Sequence, residues 1–183
     1  DQKVIQYYQK KIALIKKKEL IPFISLHHMS LPKWFVDLGG FAHEEATMLF
    51  GRYAKLCVQE LAPECQYWTT SVDWSAHIWL GYGSDQLPPG KDDIQLVPDQ
   101  LEGFLNCHAE AYQVLHKYGV KNVQVGLVNF IQIFDYAFDI FGINRKIAKS
   151  MSQHFNWIAL DALQTGVLKI NIPMTLSYKK KMP

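Results

Sequence analysis

Leu20-Ile21-Pro22-Phe23-Ile24-Ser25-Leu26-His27-His28 is the stretch on which the fold turns. A short apolar run bounded by polar helix and turn residues suits a strand buried on both faces, because a strand with one wet face would alternate apolar and polar residues. Pro22 has no amide donor and belongs at the start of such a strand, where no ladder bond is lost. The run stops at His27-His28, so two imidazoles stand at the strand's C-terminal end.

Upstream, Ile5, Tyr8, Ile12 and Ile15 recur at three- and four-residue spacing, which predicts a helix. Lys10, Lys11, Lys16, Lys17 and Lys18 fall off that stripe and form a solvated face that complements the dipole at the helix C-terminus. Downstream comes a loop with Pro32, Gly39 and Gly40, then a helix from Glu44 to Leu61. A second strand runs from Gln66 to Val72 and ends at Asp73, before a loop containing Gly81 to Gly83 and Pro88 to Gly90. A helix from Pro98 to Tyr118, a strand from Val123 to Phe130 and a helix from Arg145 to Leu163 follow, the last stopped by Gly166 as a C-cap. This alternation predicts an α/β fold with a parallel sheet and helices packed outside it. Three strands do not close a (β/α)₈ barrel, which needs roughly 250 residues. If these strands belong to such a barrel, 1–183 is a single segment of it, a partial barrel, with 174–183 as a flexible basic tail; an open doubly wound sheet is the alternative. Neither G-x-G-x-x-G nor G-x-x-x-x-G-K-[ST] occurs, so a nucleotide-binding open sheet has no support.

The 183 residues carry a formal charge of +2 and are 49% hydrophobic, which excludes disordered and collagen-like classes. So small a charge argues against nucleic acid or an anionic membrane surface as partner. No apolar run reaches the roughly 18 residues of a membrane-spanning helix. Cys57, Cys65 and Cys107 form no C-x-x-C pair, so no metal site is expected. Free buried thiols suit a reducing compartment, which leans the localisation towards the cytoplasm.

Several motifs together resemble glycoside hydrolase family 1, the β-glucosidase and 6-phospho-β-glucosidase family. Leu26 to Trp34 is similar to L-x-H-W-D-L-P-x-W, and Asp37-Leu38-Gly39-Gly40-Phe41 to D-x-G-G-W. Phe50, Tyr53-Ala54 and Cys57 resemble F-x-x-Y-A-x-x-C, and Tyr67-Trp68-Thr69-Thr70 the W-x-T of the strand that carries the acid/base motif. Gly81-Tyr82-Gly83 with Pro89-Gly90, His108-Ala109-Glu110-Ala111, and Asn156 to Asp161 with Gly166 complete the series. Each is weak alone; in order and spacing they are specific. The resemblance implies a segment from the second helix through the fifth helix of a (β/α)₈ barrel, a β-glucoside or other carbohydrate as ligand, and no cofactor.

The resemblance also implies a site. Retaining glycosidases use two carboxyls about 5–5.5 Å apart, one nucleophile and one acid/base. Asp73 falls on the acid/base glutamate of T-x-N-E-P, Val72 on its asparagine and Trp74 on its proline. Asp73 keeps the carboxyl but is one methylene shorter, and Val72 cannot hydrogen-bond a sugar hydroxyl. His28 falls on the family's sugar-contacting histidine, while Met29 and Ser30 replace tryptophan and aspartate. Asn129 ends the third strand of this chain, either facing the site or bonding the loop. Asp135 and Asp139 read as loop carboxylates, and Trp68 and Trp157 as packing residues. No T-E-N-G-like nucleophile motif occurs. The resemblance thus implies hydrolysis of O-glycosyl bonds in β-glucosides, with an incomplete site in this chain alone. The alternative is a catalytically inactive carbohydrate-binding or protein-interaction module. Its open sheet edges would be covered by a second copy or by the missing remainder of the barrel.

Overall fold

The computed structural model describes residues 1–139, 141–172 and 175–182. Its centre is a three-stranded parallel sheet of β1 (Phe23–Ser25), β2 (Tyr67–Thr69) and β3 (Gln124–Gly126), in that order. Ile24, Trp68 and Val125 share one register row, and Phe23, Tyr67 and Gln124 the next. The connections are helical: α1 (Gln2–Lys17) precedes β1, and α2 (Lys33–Asp37) and α3 (Ala46–Leu56) lie between β1 and β2. A single π turn, Cys57–Leu61, extends α3. Next come α4 (Trp74–Gly81) and α5 (Val97–Tyr118), which precede β3. After β3 come α6 (Ile143–Ser152), a π turn (Gln153–Trp157), and α7 (Ile158–Thr165) ending on Gly166 at φ 68°.

The alternating helices and parallel strands agree with the sequence reading, but several details differ. β1 is not buried on both faces: Ile24 is half-buried, whereas Phe23 is 64% exposed. No element of the described residues covers that second face. The strands are shorter than the apolar runs that predict them, although single backbone bonds, such as Leu26 to the Thr69 carbonyl, continue past their ends. Residues 127–139 are irregular. α4 lies in a stretch the sequence reading left unassigned; six of its eight residues are buried, so no amphipathic period marks it. The supposed basic tail is in part a strand. β4 (Val167–Ile172) and β5 (Leu176–Lys181) pair antiparallel, with Leu168, Ile170 and Leu176 buried and Lys179 to Lys181 outward. Tyr178 donates to Glu102 at 2.5 Å and Lys180 meets the same carboxylate at 2.7 Å, which fastens the hairpin to α5. Positions 174 and 183 of that segment lie outside the described residues.

The core lies between the sheet and α3, α4 and α5. Trp68, Trp74, Phe41, Phe104 and Ile78 are each at most 2% exposed. α5 approaches the segment after α2 so closely that a Cβ at Gly103 would sit 1.8 Å from the Phe41 carbonyl. Gln100 on the same helix accepts from the Phe41 amide at 3.0 Å and donates to the Gly39 carbonyl at 2.7 Å. The segment that follows α2 is thereby pinned to α5.

Candidate active site

β1 and β2 deliver their C-terminal ends side by side. The ladder continues past the strands as a parallel bridge between His28 and Val72. Val72 donates its amide to the His27 carbonyl at 2.9 Å, and Val128 donates to the Ser71 carbonyl at 3.0 Å. His28, Val72 and the start of the loop after β3 therefore stand on one rim.

Asp73 is the N-cap residue of α4, in left-handed backbone conformation at φ 54°. A capping aspartate normally accepts from an amide in the first helical turn. Asp73 makes no such bond. Its carboxylate turns instead across the rim, and Oδ2 lies 3.1 Å from His28 Nε2. The imidazole is more open than the carboxylate, at 60% against 31% side-chain exposure. The structure thus brings together three residues that the sequence singles out: His28, Val72 and Asp73. A carboxylate held against an exposed imidazole can take or give a proton, and a polar rim of this kind can bind hydroxyls.

Asn129 lies close by but is occupied. Its Oδ1 accepts from Trp74 Nε1 at 3.1 Å and its Nδ2 donates to the Asn156 carbonyl at 2.6 Å. Trp74 itself is fully buried and stacks on Phe104 with ring centroids 5.7 Å apart, so it offers no face to a sugar. Of the two loop carboxylates, Asp139 pairs with Arg145 at 3.2 Å and Asp135 accepts from the Tyr136 amide at 2.8 Å. Trp157, expected to pack, is 44% exposed, whereas Trp68 is 1% exposed.

The sequence reading missed the supports beneath the rim. His108 Nδ1 lies 2.7 Å from Thr70 Oγ1, and burial holds its imidazole below its ordinary value, neutral and able to brace β2. Asn156, 2% exposed, accepts from the Gln132 amide at 2.9 Å and donates to its carbonyl at 2.7 Å, anchoring the loop after β3. Each residue opens a motif quoted above, but the motif alone does not tell a bracing role from a binding one. Beside His28, a cleft of about 510 Å³ is lined by Leu26, Ser30, Trp34, Phe50 and Tyr53 among others. Trp34, 54% exposed, is its one open indole. Among the described residues no group of three His, Cys, Asp or Glu could hold a metal ion, and no helix is long and apolar enough to cross a membrane.

The chain is similar to several known proteins in sequence and in fold. A 6-phospho-β-galactosidase of Staphylococcus aureus is 30% identical over 138 residues, 75% of this chain and 29% of that protein. Lactase/phlorizin hydrolase of Homo sapiens is 30% identical over 118 residues, 64% of this chain and 6% of that protein. The chain thus spans less than a third of the curated relatives it matches. A β-glycosidase from Pyrococcus horikoshii superposes on the whole chain with a TM-score of 0.86 and 26% identity, 41% of that structure being covered. A Thermotoga maritima β-glucosidase in complex with deoxynojirimycin shares the fold, with a TM-score of 0.83 over 91% of this chain and 37% of its own. The family described as glycosyl hydrolase family 1 matches residues 1–166. On that match, which takes in His28, Asp73 and the supports beneath them, the chain belongs to glycosyl hydrolase family 1.

Proposed function

We propose that 1–183 is one segment of a (β/α)₈ barrel, from its second helix through its fifth helix, and that it carries the acid/base side of a retaining β-glycosidase site. The observation that supports this most is the His28–Asp73 contact at the C-terminal ends of adjacent parallel strands, the end at which such barrels place catalysis. In this reading Asp73 protonates the leaving oxygen of a β-glucoside and His28 contacts the sugar. The second carboxyl comes from residues other than these 183, in which no T-E-N-G-like motif occurs; Asp135 is engaged by the Tyr136 amide and Asp139 by Arg145 of α6. The shorter side chain of Asp73 and the missing amide at Val72 weaken proton delivery; a misplacement of about 1 Å can cost on the order of 10²-fold in rate.

A second reading is supported by the same pair. Asp73 is already held by His28, an arrangement that suits a carbohydrate-binding module without turnover. Turnover of a β-glucoside whose leaving group needs protonation, by this segment joined to the rest of a family barrel that supplies the second carboxyl, and by its Asp73→Ala and Asp73→Glu variants, separates the two. Turnover lost in Asp73→Ala and raised in Asp73→Glu supports the first. No turnover from any folded variant, with sugar binding abolished by His28→Ala, supports the second. Neither turnover nor sugar binding overturns both.

A further inference from the structure

Directly beneath the rim lies a second pair of histidines that the site does not use. His27 is 5% exposed and His77, one turn into α4, is 2% exposed; their ring centroids are 5.3 Å apart. His27 Nδ1 lies 2.8 Å from Ser71 Oγ, and His27 Nε2 has no partner in hydrogen-bonding geometry. Neither nitrogen of His77 has one. The pair sits against the rings of Phe41 and Tyr82. Each histidine is joined to the rim above it. His27 precedes His28, and its carbonyl receives the Val72 amide. His77 donates its amide to the Asp73 carbonyl at 3.2 Å. The carbonyl of Met29 faces the His77 ring and favours its protonated form, without reaching full hydrogen-bonding geometry. Met29 itself is a non-glycine residue at φ 57°, a conformation that L side chains adopt at some cost. The turn His28-Met29-Ser30 is therefore strained and faces a ring that can gain a donor.

We propose that His27 and His77 are positioning residues forming an acid-operated latch: while both rings are neutral they hold the His28–Asp73 pair closed, and a proton on His77 draws in the Met29 carbonyl and turns His28 away from Asp73. The two rings are too close and too dry for both to carry charge. The groups facing them supply no counter-charge. On the rim beyond β1 there is His28; at the C-cap of α4 there is Tyr82, whose phenol burial pushes up to about 12; from the segment after α2 comes Phe41, which is apolar. Burial holds His77 at about 4; burial, then the neighbouring charges of His77 and His28, holds His27 at about 3. Both lie below the ordinary imidazole value of 6.5, so the unfolded chain takes up protons first as pH falls. The stability that the neutral pair contributes is complete above about pH 6.5 and is lost progressively as pH falls towards about 4, where His77 takes its proton in the folded chain and the latch opens.

The test is an acid titration of the 183-residue chain from pH 7.5 to 3.5, read by near-ultraviolet circular dichroism and by the backbone amide resonances of Met29 and Ser30. It is repeated on His77→Phe, which keeps the ring without the proton, and on His77→Gln, should the first fail to fold. The expected result is an acid transition moved down by about one pH unit in the folded variant, with the Met29 and Ser30 movements reduced over the same range. Identical transitions in wild type and both variants overturn the latch. So does a shifted transition with unchanged amide movements, because His77 would then stabilise the fold without working on the turn. The readouts need neither sugar nor turnover, so failure of the glycosidase reading leaves this result unaffected.

Discussion

The two faces of the small sheet differ more than any other two regions of the molecule. On the helical face Trp68 is 1% exposed, packed in one core with Trp74, Ile78, Leu101 and Phe104, all nearly inaccessible. On the other face Phe23 stacks on Tyr67 at 6.1 Å and is still 64% exposed. Beyond β3 the openness increases, with Phe130 at 53% and Ile133 at 95%. The sealed face supplies the stability, and the open one has no covering element among the described residues. His27 and His28 show the division at adjacent positions: one imidazole lies in the dry layer, and the next stands on the rim against Asp73.

Glycine substitutions break that contrast most sharply. In a helix, Gly→Ala ordinarily stabilises by about 1 kcal/mol. At Gly103 the added methyl would meet the Phe41 carbonyl carbon at 2.6 Å and its oxygen at 1.8 Å, both backbone atoms that Gln100 holds in place. Gly103→Ala should therefore destabilise by about 4 kcal/mol or more, the range of severe core overpacking. Gly126 on β3 has nothing within 4 Å of the same methyl, so Gly126→Ala should stay within about 0.5 kcal/mol of the parent. Urea unfolding of the two variants side by side is the measurement. Equal losses would mean that the faces are not the separate regimes drawn above.

A smaller effect probes the seam between the faces. Trp74 reaches from the sealed core to Asn129 on the open side through its indole N–H at 3.1 Å. Trp74→Phe retains a ring over Phe104 and removes that donor, leaving Asn129 Oδ1 without it. A loss of about 1–3 kcal/mol is expected from the orphaned acceptor and the smaller ring together. In a double-mutant cycle with Asn129→Ala, a coupling of about 0.5–1.5 kcal/mol would assign the bond its share. A coupling of zero would mean that Asn129 is held by Asn156 alone.

The parts legible in sequence were those with a period or a stop signal. The helix read from Pro98 to Tyr118 is α5, whose observed start, Val97, lies one residue earlier. Gly166 marked the end of α7. The buried helix α4 carries no such mark, because a helix surrounded by core needs no polar face. The β4–β5 hairpin was hidden by its lysines, which an outward-facing edge strand tolerates. At the site, the family resemblance pointed to His28 and Asp73, but not to the left-handed conformation that turns the carboxylate onto the imidazole. Residue type alone did not separate His27 from His28, because which of two adjacent side chains faces the core depends on a register that only the packed sheet defines.

The smallest effect sharpens the open side of the comparison. Ile133 and Phe141 are each 95% exposed and touch too little of the chain to stabilise it. Ile133→Asn and Phe141→Asn should each change folding stability by no more than about 0.5 kcal/mol. Apolar side chains left this open raise the free energy of the isolated chain in water at roughly 25 cal/mol per Å² exposed, whatever they do for its fold. The double variant should therefore sediment as a smaller average species at high concentration and bind less of a hydrophobic dye. A large loss of stability would mean that the loop after β3 folds back onto the sheet in solution and covers it. An unchanged sedimentation profile would mean that association uses the edge of β1, where Leu20, Ile21 and Phe23 are also exposed and whose outer backbone groups have no strand beside them among the described residues.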